Sequence, residues 1–99
     1  MIFMPWNIYF TRNAAKQTEK LNKKIIYILD LLMEDLRENG PFPGKQWPNY
    51  GKLKGYKTDI RHCHLMKGKP TYVCCWKVVN KEQKIIEVNY VGSHEKAPY

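Results

Sequence analysis

The chain has 99 residues, 43% of them hydrophobic and 26% charged, with a formal net charge of +8. That length suits a single domain over residues 1–99 and is too short for two. Thirteen aromatic residues exclude a disordered chain, since they supply enough apolar surface to form a core. The richest apolar run, Ile25 to Met33, is nine residues broken by Asp30, where a membrane span needs about 20. Met1-Ile2-Phe3-Met4 has neither the basic start nor the long apolar stretch of a secretory leader, so a cytoplasmic protein is expected. Cys63, Cys74 and Cys75 cannot all pair with one another, and reduced thiols packed as small apolar residues are expected.

In chain order, Trp6 to Phe10 alternates in the manner of a strand. Thr11 offers an oxygen to cap a short helix reaching about Lys20, and Asn22 offers one to cap a second. A single kinked helix across Leu21-Asn22 fits the same pattern. The apolar stripe Ile25, Ile28, Leu29, Leu32, Met33, Leu36 falls on one helical face, and Asn39-Gly40-Pro41 stops the helix. Phe42 to Gly55 shows no sustained period and reads as a loop, whose 14 residues are long for a compact domain. Three strand-like runs follow, Thr58–Met66, Thr71–Val79 and Lys84–Val91, with links short enough for antiparallel hairpins. The middle run is apolar on both faces, as a central strand is. The expected fold is α+β, in the order β-α-α-β-β-β, with an antiparallel C-terminal meander. Both helices should cover one sheet face, with the stripe around Leu29 against Trp6 or Phe10 and Trp76 or Val78. The other face is left partly free to form a groove.

Charge placement is more informative than net charge. Between Pro43 and Pro70, seven basic residues (Lys45, Lys52, Lys54, Lys57, Arg61, Lys67, Lys69) stand against Asp59 alone, a surplus of +6 in 28 residues. Trp47, Tyr50 and Tyr56 lie in the same stretch. Basic residues interleaved with aromatics suit a phosphate backbone and exposed bases. The plain alternative is a solvated basic face.

All three histidines fall in the C-terminal half. His62 and His64 are two apart on one strand and so leave the same face, and His94 follows the last strand. Histidine gives and takes protons near neutral pH, and nearby lysines stabilise charge on a phosphate, a combination suited to RNA cleavage. His62 reads as a packed strand residue, and whether His64 and His94 meet depends on topology. His62-Cys63-His64 with Cys74-Cys75 is a poor metal site, because neighbours on a strand face opposite ways and no CxxC or HxxxH spacing occurs. A cysteine nucleophile is disfavoured by the apolar strands around all three thiols.

Trp6-Asn7-Ile8-Tyr9-Phe10-Thr11, Trp47-Pro48-Asn49-Tyr50-Gly51-Lys52-Leu53, Arg61-His62-Cys63-His64-Leu65, Pro70-Thr71-Tyr72-Val73 and Val91-Gly92-Ser93-His94-Glu95-Lys96-Ala97-Pro98-Tyr99 together resemble the RelE/ParE toxin superfamily. The Cys-His strand and the Gly-Ser-His ending resemble its histidine-using, mRNA-cleaving branch, the YafQ-like and HigB-like toxins. The resemblance implies a type II toxin that enters the ribosome and cuts mRNA through 2′-OH attack, with no cofactor. It implies an acidic antitoxin as partner, with the ribosome and mRNA as targets and operator DNA reached only through the antitoxin. Carried over by position, it gives His64 and His94 as acid–base groups and Tyr99 as a base-stacking residue. Tyr50, Lys52 and Lys54 fall at a further polar or basic site position, and Lys57, Arg61, Lys67 and Lys96 complete the expected RNA-binding set. Met66-Lys67-Gly68 stands where some histidine-using relatives carry an acid, a role that would pass to Glu95. The alternatives are a ParE-like topoisomerase inhibitor and an inactive co-repressor.

Overall fold

The computed structural model describes residues 4–99. Met1, Ile2 and Phe3, on which the expectation of no leader partly rests, lie outside the described residues. The elements are β1 (Asn7–Phe10), α1 (Arg12–Thr18), α2 (Lys23–Asn39), β2 (Gly51–Lys52), β3 (Ile60–Met66), β4 (Tyr72–Asn80) and β5 (Ile85–Ser93), followed by a 3-10 turn at His94–Lys96. They form an α+β fold with one five-stranded sheet ordered β1-β5-β4-β3-β2. β3, β4 and β5 make the expected antiparallel meander, while β1 runs parallel to β5.

Local chemistry accounts for the helix ends. Thr11 Oγ1 accepts from the Ala14 amide at 3.0 Å, and Asn22 Oδ1 from the Ile25 amide at 2.9 Å, so two capped helices form rather than one kinked helix. α1 stops at Thr18, short of Lys20. At the far end of α2 the Gly40 amide donates to the Leu36 carbonyl, with Gly40 at φ +85°. A Cβ there would come within 2.8 Å of the Trp6 indole, so both the backbone angle and the close approach require glycine.

The helices pack on one sheet face, α1 against β5 and α2 against β3 and β1. Ile25, Leu29, Leu32, Met33 and Leu36 are buried there against Cys63, Leu65, Cys74, Trp76, Ile86 and Val88, with Trp6 and Phe10 packed alongside. Leu29 is 3% exposed, which confirms the helix phase. All three cysteines are free and buried. Among the described residues no helix is long and apolar enough to cross a membrane.

Several boundaries differ from expectation, three of them with a clear cause or consequence. The stretch that reads as a loop over Phe42 to Gly55 contains β2, which pairs Gly51 with His62 and Lys52 with Arg61. Two residues are too few for any period to show, and it is the free edge of β3 that makes them a strand. β3 begins at Ile60 rather than Thr58. β5 continues to Ser93 because Tyr72 of β4 still offers it a partner.

Candidate active site

On the sheet face away from the helices, Val73, Cys75 and Tyr90 form a small second cluster with Ala97 packed on it. The rows of this face run His62–Cys75–Tyr90 and His64–Val73–Gly92 across β3, β4 and β5. Strands β3 and β5 are thus two apart in the sheet. The chain beyond β5 bridges that gap by turning back over Val73.

Three contacts hold the turn. The Tyr90 hydroxyl donates to the Ser93 carbonyl at 2.7 Å, crossing above Gly92, where a Cβ would lie 2.8 Å from that hydroxyl. The His94 amide donates to the Thr71 carbonyl at 2.8 Å, and the Ala97 amide to the His94 carbonyl at 3.2 Å. The Gly-Ser-His ending is therefore a way of folding the chain back. Glycine clears the tyrosine, and the turn delivers His94.

The result is a cluster of four rings. His64 and His94 lie with ring centroids 5.3 Å apart, edge to face. Tyr99 lies 4.8 Å from His62 and 5.9 Å from His94. Its hydroxyl is 3.3 Å from Nδ1 of His62. Partial burial pushes the pKa of that hydroxyl up to about 12, so it stays protonated, and the His62 tautomer sets which of the two groups donates. His62, read from sequence as a packed strand residue, is thus part of the cluster. The only sequence signal for it was the two-residue spacing from His64.

Burial lowers the pKa of both His62 and His64 below histidine's ordinary 6.5, and positive charge on the neighbouring rings lowers it further. Neutral rings at pH 7 are proton acceptors. The unfolded chain binds protons at these positions more readily than the folded one, so the stability this gives is fully present above pH 6.5 and is lost as pH falls through the folded values. Asp59, held low first by its hydrogen bond from Arg61, acts only below its ordinary 3.8. Denaturant midpoints measured across this range should drop on the acid side of pH 6.5, and the double variant His62→Gln, His64→Gln should flatten that drop. An unchanged slope would refute the assignment.

The other candidates are distributed around this cluster. Glu95 lines a hollow of about 350 Å³ with His94 and Lys69, a lysine counted in the basic stretch but not included in the expected RNA-binding set. Lys96 lines a separate hollow with Gln17 and Lys20. Lys52 lies on β2, and exposed Lys54 and Lys57 follow it, while Lys67 is exposed after β3. Tyr50 and Arg61 are not brought to the histidines. They lie on the helix-covered face, where Tyr50 stacks 6.1 Å from Trp76 and accepts from Arg61 Nη1 at 3.0 Å. Asp59 takes the rest of the guanidinium in a two-pronged ion pair at 2.9–3.0 Å. Trp47 is buried, its indole donating to Asp35 at 2.8 Å. Of the aromatics in the basic stretch, Tyr56 is the exposed one, at 45%. Among the described residues no three His, Cys, Asp or Glu side chains are grouped to hold a metal ion.

No protein-family model matches the sequence, and no curated protein matches it. Solved structures share its fold. A chain of the archaeal RelE–RelB complex from Pyrococcus horikoshii OT3 superposes with a TM-score of 0.74 at 20% identity, over 95% of this chain and 100% of that one. The metal-bound toxin from Helicobacter pylori superposes with a TM-score of 0.62 at 20% identity, over 92% and 97% respectively. Two helices on one face of a mostly antiparallel five-stranded sheet are thus the RelE-like arrangement.

Proposed function

We propose that the 99 residues form one toxin domain of a type II toxin–antitoxin pair, a cytoplasmic endoribonuclease that cuts mRNA on the ribosome by histidine acid–base chemistry. The observation that carries this reading is the cluster of His62, His64, His94 and Tyr99 on the face the helices leave uncovered. His64, His94 and Tyr99 are the residues that the resemblance to the histidine-using branch carries over by position, and His62 joins them.

In the proposed reaction, neutral His64 takes the proton from a ribose 2′-OH, whose oxygen attacks the adjoining phosphorus. The bond to the 5′-oxygen breaks, and His94 supplies the proton that oxygen needs to leave. The products are a 2′,3′-cyclic phosphate and a 5′-hydroxyl end, and no cofactor is required. The 5.3 Å between ring centroids allows both rings to address one phosphate from the same side of the sheet. Tyr99 offers its ring to a base, and Lys69, beside His94, offers charge to the phosphate. Glu95, which lines the same hollow, would orient or recharge His94. Lys52, Lys54, Lys57, Lys67 and Lys96 would bind the RNA backbone, while Tyr50 and Arg61 would act from the far face by holding β2 to β3.

The partner would be an acidic antitoxin, as RelB is the partner in the archaeal complex, and operator DNA would be met only through it. Induction of the protein, followed by mapping of mRNA 5′ ends on translating ribosomes, tests the reading. New in-frame ends are expected. Continued translation with a loss of DNA supercoiling would replace it by topoisomerase inhibition.

Charge reversal at Lys52 and Lys54 should weaken ribosome binding and flatten its salt dependence, since each neutralised phosphate releases counterions. Unchanged binding by the Lys52→Glu, Lys54→Glu protein would make the basic loop a solvated face.

A further inference from the structure

Tyr56 lies in the loop after β2, between Lys54 and Lys57, with 45% of its surface exposed. Its hydroxyl donates to the Pro98 carbonyl at 2.8 Å, joining residues 42 apart. The next residue along is Tyr99, whose ring lies on His62 and edge-on to His94. After the 3-10 turn the backbone is extended, with Ala97 at φ −63° and ψ 149°, so no helix or strand ladder fixes the direction of this tail. Ala97 packs on Val73, Cys75 and Tyr90. Beyond it, the Tyr56 and His62 bonds hold the chain, one by its backbone and the other by its side chain.

We propose that Tyr56 is a positioning residue: its hydroxyl latches the tail over the open sheet face, so that Tyr99 is seated on His62 and His94 before RNA arrives. The latch also couples two parts of the surface that the sequence separates. The lysine-bearing loop and the tyrosine-bearing tail become one clamp over the histidines, and a backbone held by Lys54 and Lys57 meets an aromatic ring already in place. Ordering a free tail at the moment of binding costs conformational entropy, and a tail ordered in advance does not. The consequence for RNA rests on the endoribonuclease reading. The latch itself does not.

Tyr56→Phe isolates the effect, because an exposed ring keeps its place and only the hydroxyl is lost. Two-dimensional NMR of the free protein is expected to show weakened contacts between the Tyr99 and His62 rings. The His62 titration should move up toward its ordinary value as the ring is uncovered, with the unfolding midpoint unchanged. In cleavage of ribosome-bound mRNA, KM should rise about 2- to 10-fold, the span of one net hydrogen bond, while kcat is kept. Unchanged Tyr99–His62 contacts and an unchanged His62 titration would overturn the latch. Slower cleavage with those contacts intact would overturn it as well. A loosened tail in a protein whose wild type cuts no RNA would uphold the latch and remove the endoribonuclease reading instead.

Discussion

Replacement of His94 by alanine is expected to leave a folded protein that cuts ribosome-bound mRNA about 10²–10⁴ times more slowly. The magnitude is that of removing a proton-transfer group positioned on the leaving oxygen. The fold should survive because His94 stands outside the helix-packed core, in a turn held by backbone bonds and the Tyr90 hydroxyl. His64→Ala should fall in the same range, and the two losses should not add, since each ring works only with the other. Tyr99→Ala should differ in kind, weakening base placement by about 1–3 kcal/mol rather than proton transfer. His62, which the sequence alone would offer as a mild control, carries the Tyr99 hydroxyl bond. His62→Ala should therefore resemble Tyr99→Ala more than His94→Ala. Primer-extension rates on stalled ribosomes, paired with circular dichroism of each variant, separate these outcomes. Normal cleavage by folded His94→Ala would remove the histidine mechanism and move the chemistry to the lysines.

The second large effect is structural. Trp76→Ala should destabilise the protein by about 3–5 kcal/mol, a large share of the stability of a domain this size. Trp76 is 0% exposed at the centre of β4, between the meander strands and beneath the helices. Its indole N–H donates to the Pro41 carbonyl at 3.2 Å, tying the end of α2 to the sheet, and its ring stacks on Tyr50. Truncation opens a cavity, orphans that carbonyl and frees Tyr50, and with it the hold of Arg61 on β2 and β3. Urea denaturation gives the value. A loss below about 1 kcal/mol would mean that the core repacks around the gap.

The elements of this fold are written in local chemistry. The cap at Thr11, the stripe through Leu29 and the stop at Gly40 are legible from spacing, while the cap at Asn22 is legible only as a candidate, since one kinked helix fits the same pattern. The doubly apolar run Val73 to Trp76 likewise marks a central strand, and all four of its side chains are buried. The basic stretch is equally plain in sequence, but its division is not. Trp47, Tyr50 and Arg61 look like Tyr56 and the lysines until Trp47 is buried and half-buried Tyr50 and Arg61 are drawn onto the helix-covered face, since burial depends on which face a distant helix covers.

The site itself is a product of tertiary structure. His64 and His94 are separated by a whole strand, and only the strand order β5-β4-β3, a small residue at Val73 and a chain that folds back past Gly92 bring their rings within 5.3 Å. Two-residue β2 exists only because β3 has an edge to offer it. His62 becomes a partner only because Tyr99 lies on it. Sequence by itself determined what depends on neighbours in the chain: helices, strands, caps, the sign and place of the charge, and the residues with proton-transfer chemistry. The three-dimensional fold decided which of those residues meet, because contact across a sheet is set by strand order and register, and neither is a local property.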